Sequence, residues 1–304
     1  MLMIDQVAIE DTFAEAFDMT ATRLIITAES SLWARHAAQA MTGFATSVIG
    51  CGVEAGIEAE LSGSATPDGR PGVSVLIFSV SGKELEKQVV RRVGQCVLTC
   101  PSTSIFGGLN TGQAVEQKRI ALGSQLRYFG DGFQISKVIG QERYWRIPVM
   151  DGEFVCQDTI PRCSAVGGGN FLVLGQSLSG ALNACTRAVE AIRRIPGVIA
   201  PFPGGVVRSG SKVGSKYKML HASSNDAYCP TLADLPQSQI PPGVSAVLEI
   251  VIDGLTPESV RLAMKTGVLA ICEQGHREGI LQISAGNYGG KLGKHHFHLH
   301  QLLS

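Results

Sequence analysis

Residues 242–253 read PGVSAVLEIVID, and residues 71–82 open in the same way with PGVSVLIFSVSG. When the two segments are superimposed without a gap, both continue into stretches with apolar residues at four-residue spacing. The matched positions are Val89 with Val260, Val93 with Met264 and Val97 with Val268. This spacing is the buried stripe of an amphipathic helix. The sequence therefore predicts a strand followed by a helix that occurs twice, as in an internal duplication.

Glu249 is the ionisable side chain within the apolar run 242–252, and it falls opposite Phe78 in the other copy. Burying a carboxylate costs several kcal/mol unless it is paired, hydrogen-bonded or protonated. Glu249 is therefore either satisfied by a neighbour, as in a structural ion pair with an Arg or Lys, or kept for chemistry. We interpret it as the leading candidate for a catalytic residue.

Length and charge limit the classes of protein that the chain can belong to. A chain of 304 residues exceeds what one hydrophobic core usually supports, so we expect two lobes. Basic and acidic residues both number 26, which argues against nucleic acid or an anionic membrane as partner. We find no secretory signal and no run of about 18 apolar residues. The eight cysteines form no CxxC pair, and we interpret them as reduced thiols of a cytoplasmic protein.

The periodicity predicts an α+β protein in which each half follows the order strand, helix, strand, strand, helix, strand. In the first half we expect strands near 22–28, 46–51 and 73–80 and helices at 31–41 and 84–98. In the second half we expect strands at 171–175, within 242–253 around Glu249, and at 280–284, and helices at 179–195 and after Thr256. The boundary is predicted near 148–152. It separates an N-terminal lobe with an inserted hairpin, 1–150, from a C-terminal lobe that carries Glu249, 151–304.

Two glycine segments look like phosphate loops without matching them. Neither the segment 205–212 nor the segment 285–292 has the Gly-Lys-Ser ending, which argues against a nucleotidase. Lysines nevertheless lie among these glycines, at Lys212, Lys216 and Lys291. They suit carboxylates or a phosphate of an elongated ligand, and a solvated basic loop is the alternative.

Two further patterns can be interpreted either as functional sites or as residues without a chemical role. Alternate histidines near the end would share one face of a strand, as zinc ligands do, at His296, His298 and His300. Cys229 follows His221 by eight residues and would need that histidine beside it to act as a nucleophile. We favour the ordinary interpretation of both, namely solvated histidines and a packed thiol, and we expect no resident metal.

Ten ordered blocks extend along the chain: EDTFAEAF (10–17), TGF (42–44), TPDGRPGV (66–73), GQCV (94–97), FGDG (129–132), GGNF (168–171), APFPGG (200–205), SKVGSK (211–216), NDAYCPT (225–231) and ISAGNYGGKLG (283–293). Together they closely resemble the formylmethanofuran:tetrahydromethanopterin formyltransferases over essentially the whole chain. The resemblance implies two lobes of ferredoxin-like topology and association into dimers or tetramers. It agrees with the duplication inferred from the two related segments.

The resemblance also implies a function. The family moves a formyl group between the amine of methanofuran and a ring nitrogen of tetrahydromethanopterin, and it needs no metal or bound prosthetic group. Its catalytic carboxylate lies in the EIVI block, which is Glu249 here. As substrate contacts we expect residues of the lysine and glycine loops and of the NDAYCPT block: Lys212, Lys216, Asn225, Gly286, Asn287 and Lys291.

The sequence says less about the physiological direction and the partner subunits than about the reaction. The segment 119–126 and the histidine-rich end fit a relative such as the transferase subunit of the bacterial formyltransferase/hydrolase complex. There the formyl group moves toward a methanofuran-like carrier during formaldehyde oxidation, and hydrolase subunits release formate. The methanogenic direction, a formyl hydrolase and a catalytically silent scaffold subunit remain as alternatives.

Overall fold

The computed structural model describes residues 2–109 and 118–304, and the chain divides into two compact units. The first, called here the continuous unit, comprises residues 19–165. The second, the split unit, combines residues up to 18 with residues 166–304. The predicted lobes, 1–150 and 151–304, are each continuous in sequence, whereas the split unit combines two separate segments. The boundary between the predicted lobes stays a prediction.

The strands of the described residues are β1 (Leu2–Ile4), β2 (Val7–Ile9), β3 (Phe13–Thr27), β4 (Glu54–Leu61), β5 (Gly72–Ser79), β6 (Ser104–Gly107), β7 (Arg119–Ala121), β8 (Ile135–Ile139), β9 (Glu142–Val149), β10 (Gly152–Gln157), β11 (Thr159–Pro161), β12 (Cys163–Gly175), β13 (Val198–Ile199), β14 (Lys212–Val213), β15 (Ala222–Ser223), β16 (Ala246–Gly254), β17 (Ile280–Ser284) and β18 (His295–His298). The α-helices are α1 (Ser31–Thr42), α2 (Val48–Cys51), α3 (Gly82–Arg92), α4 (Gly123–Leu126), α5 (Leu178–Ile192), α6 (Pro257–Gly275) and α7 (Leu299–Leu303). A π-helical turn, Val93–Val97, continues α3.

The continuous unit follows the order β3, α1, β4, β5, α3, β6. In its sheet β3 lies between β5 and β6, and β4 lies outside β5, with these pairs antiparallel. The hairpin formed by β8 and β9 extends the sheet through β10, which is parallel to β6. The apolar face of α1 packs into this core through Ala34, Ala37, Ala38 and Met41.

The split unit repeats the same order with β12, α5, β13, β16, α6, β17. Here β12 lies between β16 and β17, and β13 lies outside β16, again antiparallel. The arrangement of the four strands is the same as in the continuous unit, so the predicted α+β class with two ferredoxin-like lobes is confirmed. The short strand β2 adds to the free side of β17 in parallel orientation.

The helix positions matched in the duplication are all buried. Val89, Val93 and Val97 belong to the core of the continuous unit, and Val260, Met264 and Val268 belong to the core of the split unit. The Thr256 hydroxyl accepts a hydrogen bond from the Ser259 N–H, and the Ser259 hydroxyl accepts one from the Thr256 N–H. This capping box begins α6 where the sequence predicts it.

One predicted element is wrong. The segment 46–51 does not form a strand; it enters the short helix α2, and the strand begins later, at Glu54. Ser47 accepts a hydrogen bond from the Ile49 N–H, and Gly52 ends the helix with a φ of 78°. These local cap signals outweigh the β-branched residues that favoured a strand. No helix among the described residues is both long and apolar enough to cross a membrane.

Candidate active site

Glu249 lies in the middle of β16, on the strand face that is turned away from the core. Residues 246, 248, 250 and 252 are buried, whereas 247, 249 and 251 are partly exposed. On one side Glu249 pairs with Leu172 of β12. On the other side its main chain exchanges two hydrogen bonds with Val207, of 2.8 and 2.9 Å. The backbone is therefore fixed on both sides.

The Glu249 carboxyl group is desolvated. Burial raises its pKa from 4.5 to about 7, and no charged or hydrogen-bonding partner among the described residues opposes this shift. A carboxyl group with such a pKa both accepts and releases a proton near neutral pH. The alternative of a structural ion pair for Glu249 therefore has no support in the described part of the chain.

A cavity of about 300 Å³ lies beside Glu249. Its volume is at the lower end of the range for small-molecule sites. The lining residues come from β12, β16 and the connection between β13 and β16: Leu172, Val207, Arg208, Ser209, Gly210, Asn225, Tyr228, Cys229, Pro230, Thr231, Val247, Leu248 and Glu249. The corresponding connection in the continuous unit is short, residues 62–71, so the cavity depends on the longer connection of the split unit.

The strand register places a second polar residue on the same face as Glu249. Leu172 is paired with Glu249 on one neighbouring strand and with Ser284 on the other. Directly paired residues project to the same face, and each strand spacing is about 4.8 Å. The backbones at Glu249 and Ser284 are therefore about 10 Å apart, with Leu172 between them.

Tyr228 of the long connection packs over this row. It belongs to the small apolar cluster around Leu172, Leu174 and Val244, and its hydroxyl lies 3.0 Å from the Ser284 hydroxyl. Burial raises the pKa of Tyr228, so the phenol is protonated at neutral pH. The sequence offered no separate signal for Tyr228, because its partner Ser284 lies 56 positions further along the chain.

Among the residues predicted to bind substrate, Asn225 lines the cavity together with Glu249. Lys212 and Lys216 lie outside the lining and are exposed. The Lys212 ammonium group donates to Asp226, at 2.6 Å. The structure therefore brings together Glu249 and Asn225 from the prediction and leaves both lysines on the surface of the same connection.

The glycine loop after β17 is held by side chains from β12 and β3. The Gly286 N–H donates to the Asn170 side-chain oxygen at 2.6 Å, and the Asn287 side chain donates to Thr12 and Phe13. An oxyanion role for the Gly286 amide would therefore require the bond to Asn170 to break. Lys291 is exposed.

Glu15 is a charged residue of β3 that holds this loop, and no sequence motif marked it as a site residue. Its side chain is fully buried and accepts hydrogen bonds from four backbone N–H groups, those of Tyr288, Gly290, Leu292 and Gly293, at 2.6–2.8 Å. Burial alone would raise the pKa of Glu15, but the four donors outweigh it and lower the pKa to about 2. The segment FAEAF, in which Glu15 lies between apolar residues, was the sequence feature that could have indicated a buried carboxylate.

The histidines near the chain end and the Cys229 thiol make ordinary contacts in the described residues. Across residues 2–109 and 118–304, no group of three or more His, Cys, Asp or Glu side chains is arranged to hold a metal ion. His296 contacts the Gly293 carbonyl, and His300 contacts the Ile9 carbonyl. Cys229 lines the cavity, but its thiol donates to the Asn225 carbonyl at 3.2 Å, and His221 is not among the lining residues.

Known proteins similar to this chain cover its full length. Residues 2–149 match the family model for formylmethanofuran-tetrahydromethanopterin formyltransferase, and residues 152–302 match the model for the proximal lobe of that enzyme. A formylmethanofuran–tetrahydromethanopterin formyltransferase of Methylococcus capsulatus is 60% identical over 303 residues, 100% of both chains. One component of the formyltransferase/hydrolase complex of Methylorubrum extorquens is 52% identical, covering 99% of this chain and 97% of the relative.

Two solved structures agree in fold as well as in sequence. One is the formyltransferase/hydrolase complex from Methylorubrum extorquens with methylofuran, with a TM-score of 0.96 and 51% identity over 100% of this chain and 99% of the other. The second is the formyltransferase from Methanosarcina barkeri, with a TM-score of 0.91 and 46% identity over 99% and 100%. The chain belongs to the formylmethanofuran–tetrahydromethanopterin formyltransferase family.

Proposed function

We propose that this protein transfers a formyl group between a ring nitrogen of tetrahydromethanopterin and the amine of methanofuran or a methanofuran-like carrier. The observation that carries the proposal is the Glu249 carboxyl group, which lines a cavity and has a pKa of about 7. Family membership and the similarity to transferases across the full length of the chain support the substrate class.

In the proposed mechanism the nitrogen of the accepting carrier attacks the formyl carbon, and the formyl oxygen takes up negative charge. Glu249 as carboxylate accepts the proton that the attacking nitrogen loses. As the tetrahedral intermediate collapses, the bond between the formyl carbon and the departing nitrogen breaks. Glu249 returns the proton to that nitrogen, so the carboxylate is regenerated at the end of each turnover.

Substrate contacts are proposed for the residues predicted from the sequence. For Asn225 we propose a contact with the reacting part of a carrier, and its position in the cavity lining supports this. The exposed lysines Lys212, Lys216 and Lys291 suit carboxylate groups of a carrier tail. For Gly286 and Asn287 we propose a contact through the glycine loop. Removal of the lysine charges should raise KM more than it lowers kcat.

For the setting we propose a cytoplasmic enzyme that works toward the methanofuran-type carrier in formaldehyde oxidation. Similarity to a component of the Methylorubrum extorquens complex supports hydrolase subunits as partners, alongside association of the chain with itself. We propose no bound prosthetic group, since both carriers enter as substrates.

The test is to mix the purified chain with formyl-tetrahydromethanopterin and methanofuran, and to follow both carriers and free formate. Formylmethanofuran that appears only with both substrates supports the proposal. Replacing Glu249→Gln should lower kcat by about 10²- to 10⁴-fold with folding intact, because a general acid and base is lost. Free formate in place of formylmethanofuran would indicate a hydrolase. A folded chain without any reaction would indicate a scaffold subunit.

A further inference from the structure

We propose that the Tyr228 hydroxyl, positioned by Ser284, donates a hydrogen bond to the formyl oxygen as this oxygen takes up negative charge. The inference rests on the proposed formyl transfer at Glu249. It adds the group that stabilises the oxyanion, which acyl transfer requires in addition to proton transfer.

The strand register supports the placement of the two groups. Glu249, Leu172 and Ser284 form one row on a single sheet face, and Tyr228 and Glu249 both line the cavity above Leu172. A substrate must span from a nitrogen bound by the carboxylate to an oxygen bound by the phenol. Both residues line the same cavity of about 300 Å³, so a formyl group bound there could contact both of them.

Preorganisation favours Tyr228 over two other donors of the cavity, Arg208 and Cys229. An oxyanion donor is effective when its position is fixed before the reaction. Tyr228 packs against the cluster of Leu172, Leu174 and Val244, and its hydroxyl lies 3.0 Å from the Ser284 hydroxyl. Arg208 also lines the cavity but is exposed, and the Cys229 thiol is engaged with the Asn225 carbonyl.

The hydrogen-bond directions are consistent with this role. Ser284 is fully buried and can donate its proton to the Tyr228 oxygen, which leaves the phenol proton available for a hydrogen bond to substrate. The Gly286 N–H, by contrast, already donates to Asn170. In each turnover Tyr228 keeps its own proton. It strengthens a hydrogen bond while the C–N bond forms and weakens it when the carbonyl is restored.

The test compares single-atom variants in the formyl transfer assay. Tyr228→Phe removes only the hydroxyl, and we expect kcat to fall by about 10²- to 10³-fold with little change in KM, as for other single oxyanion donors. Ser284→Ala should give a smaller fall in kcat, because the phenol remains but is no longer held. Tyr217→Phe is the matched control: this tyrosine is 63% exposed, lies outside the cavity lining and should retain full activity.

The outcomes separate this inference from the proposed function. Wild-type kcat in Tyr228→Phe, with Glu249→Gln inactive, overturns the tyrosine role and leaves the carboxylate role in place. A rise in KM alone would assign Tyr228 to binding and also overturn the inference. A fall in kcat for Tyr228→Phe with a normal thermal unfolding curve supports it. No transfer by the unmodified, folded chain overturns both proposals.

Discussion

The carboxylate at Glu249 has opposite effects on chemistry and on stability. Its pKa is raised because the ionised form loses hydration in the cavity, and the same loss disfavours the folded state whenever Glu249 is charged. Phe78, at the matching position of the other copy, is fully buried and carries no such penalty. A residue retained at a cost in stability is typical of a catalytic site.

We therefore expect Glu249→Gln to stabilise the folded protein in a pH-dependent way. The folded pKa of about 7 exceeds the ordinary value of 4.5, so the penalty is absent below pH 4.5 and is complete above pH 7. At pH 8 the gain should be about 3 kcal/mol, and at pH 4.5 close to none. Denaturant unfolding of both proteins across this range measures it. An equal gain at both pH values would contradict the burial argument.

At the level of single residues, the sequence predicted Glu249 because a charge inside an apolar run is visible locally. It did not show that Glu249 lies on the less buried face, because both faces of β16 carry apolar residues. Tyr228 was missed for a different reason. Its proposed role depends on Ser284 and Leu172. The strand pairing that brings these two residues together cannot be inferred from any short segment of the sequence.

The glycine loop 286–293 owes its conformation to Glu15 of β3. The Glu15 pKa of about 2 lies below the ordinary 4.5, so its stabilising contribution is complete above pH 4.5 and is lost as the pH falls toward 2. We expect Glu15→Gln to destabilise the protein by about 3 kcal/mol at pH 7, with the difference from wild type shrinking below pH 4.5. Thermal or denaturant unfolding at pH 7 and at pH 3 tests this. A difference that stays constant with pH would contradict a role for the charge.

Helix α5 approaches its neighbour closely at Gly180. A Cβ at this position would lie 2.0 Å from the Glu278 backbone carbonyl, which cannot move as a side chain can. Gly180→Ala should therefore destabilise the protein by roughly 1–3 kcal/mol. Gly50→Ala in α2 is the control, because a Cβ there meets nothing within 4 Å and should be neutral or slightly stabilising. Unfolding midpoints measure both, and similar values for the two variants would contradict the contact.

The accuracy of the element predictions followed the strength of local signals. The helices α1, α5 and α6 and the strand β17 lie within a few residues of their predicted positions, since periodicity and caps define them. The long strands β3 and β12 extend well beyond the predicted segments, because their extensions carry charged or glycine residues that are uncommon in strands. In α2 the caps around Ser47 and Gly52 decided the outcome against the strand composition.

For the whole molecule, the duplication in sequence corresponds to two units in which the four strands follow the same order. Residues up to 18 nevertheless belong to the split unit, and the duplication alone did not predict this. They contribute β2, whose Val7 and Ile9 are fully buried in the core of that unit. The predicted C-terminal lobe, 151–304, lacks these residues.

A fragment of residues 151–304 should accordingly be less stable than the same fragment supplemented with a peptide of residues 2–18. The peptide restores the strand beside β17 and the carboxylate of Glu15. Fluorescence or circular dichroism melts with increasing peptide should show a concentration-dependent rise in Tm. A peptide with Glu15→Gln should raise it less. A fragment whose melting is insensitive to the peptide would support 151–304 as a self-sufficient lobe.

The bond between Glu15 and the loop 288–293 also bears on the order of events during synthesis. The carboxylate leaves the ribosome near the start of translation, and its last donor follows 278 residues later. At about 5–20 residues per second, this interval lasts roughly 15–55 s. The continuous unit, residues 19–165, is complete about halfway through it. The apolar strand β2 and the Glu15 side chain therefore remain unburied, and accessible to chaperones and proteases, until almost the entire chain has emerged.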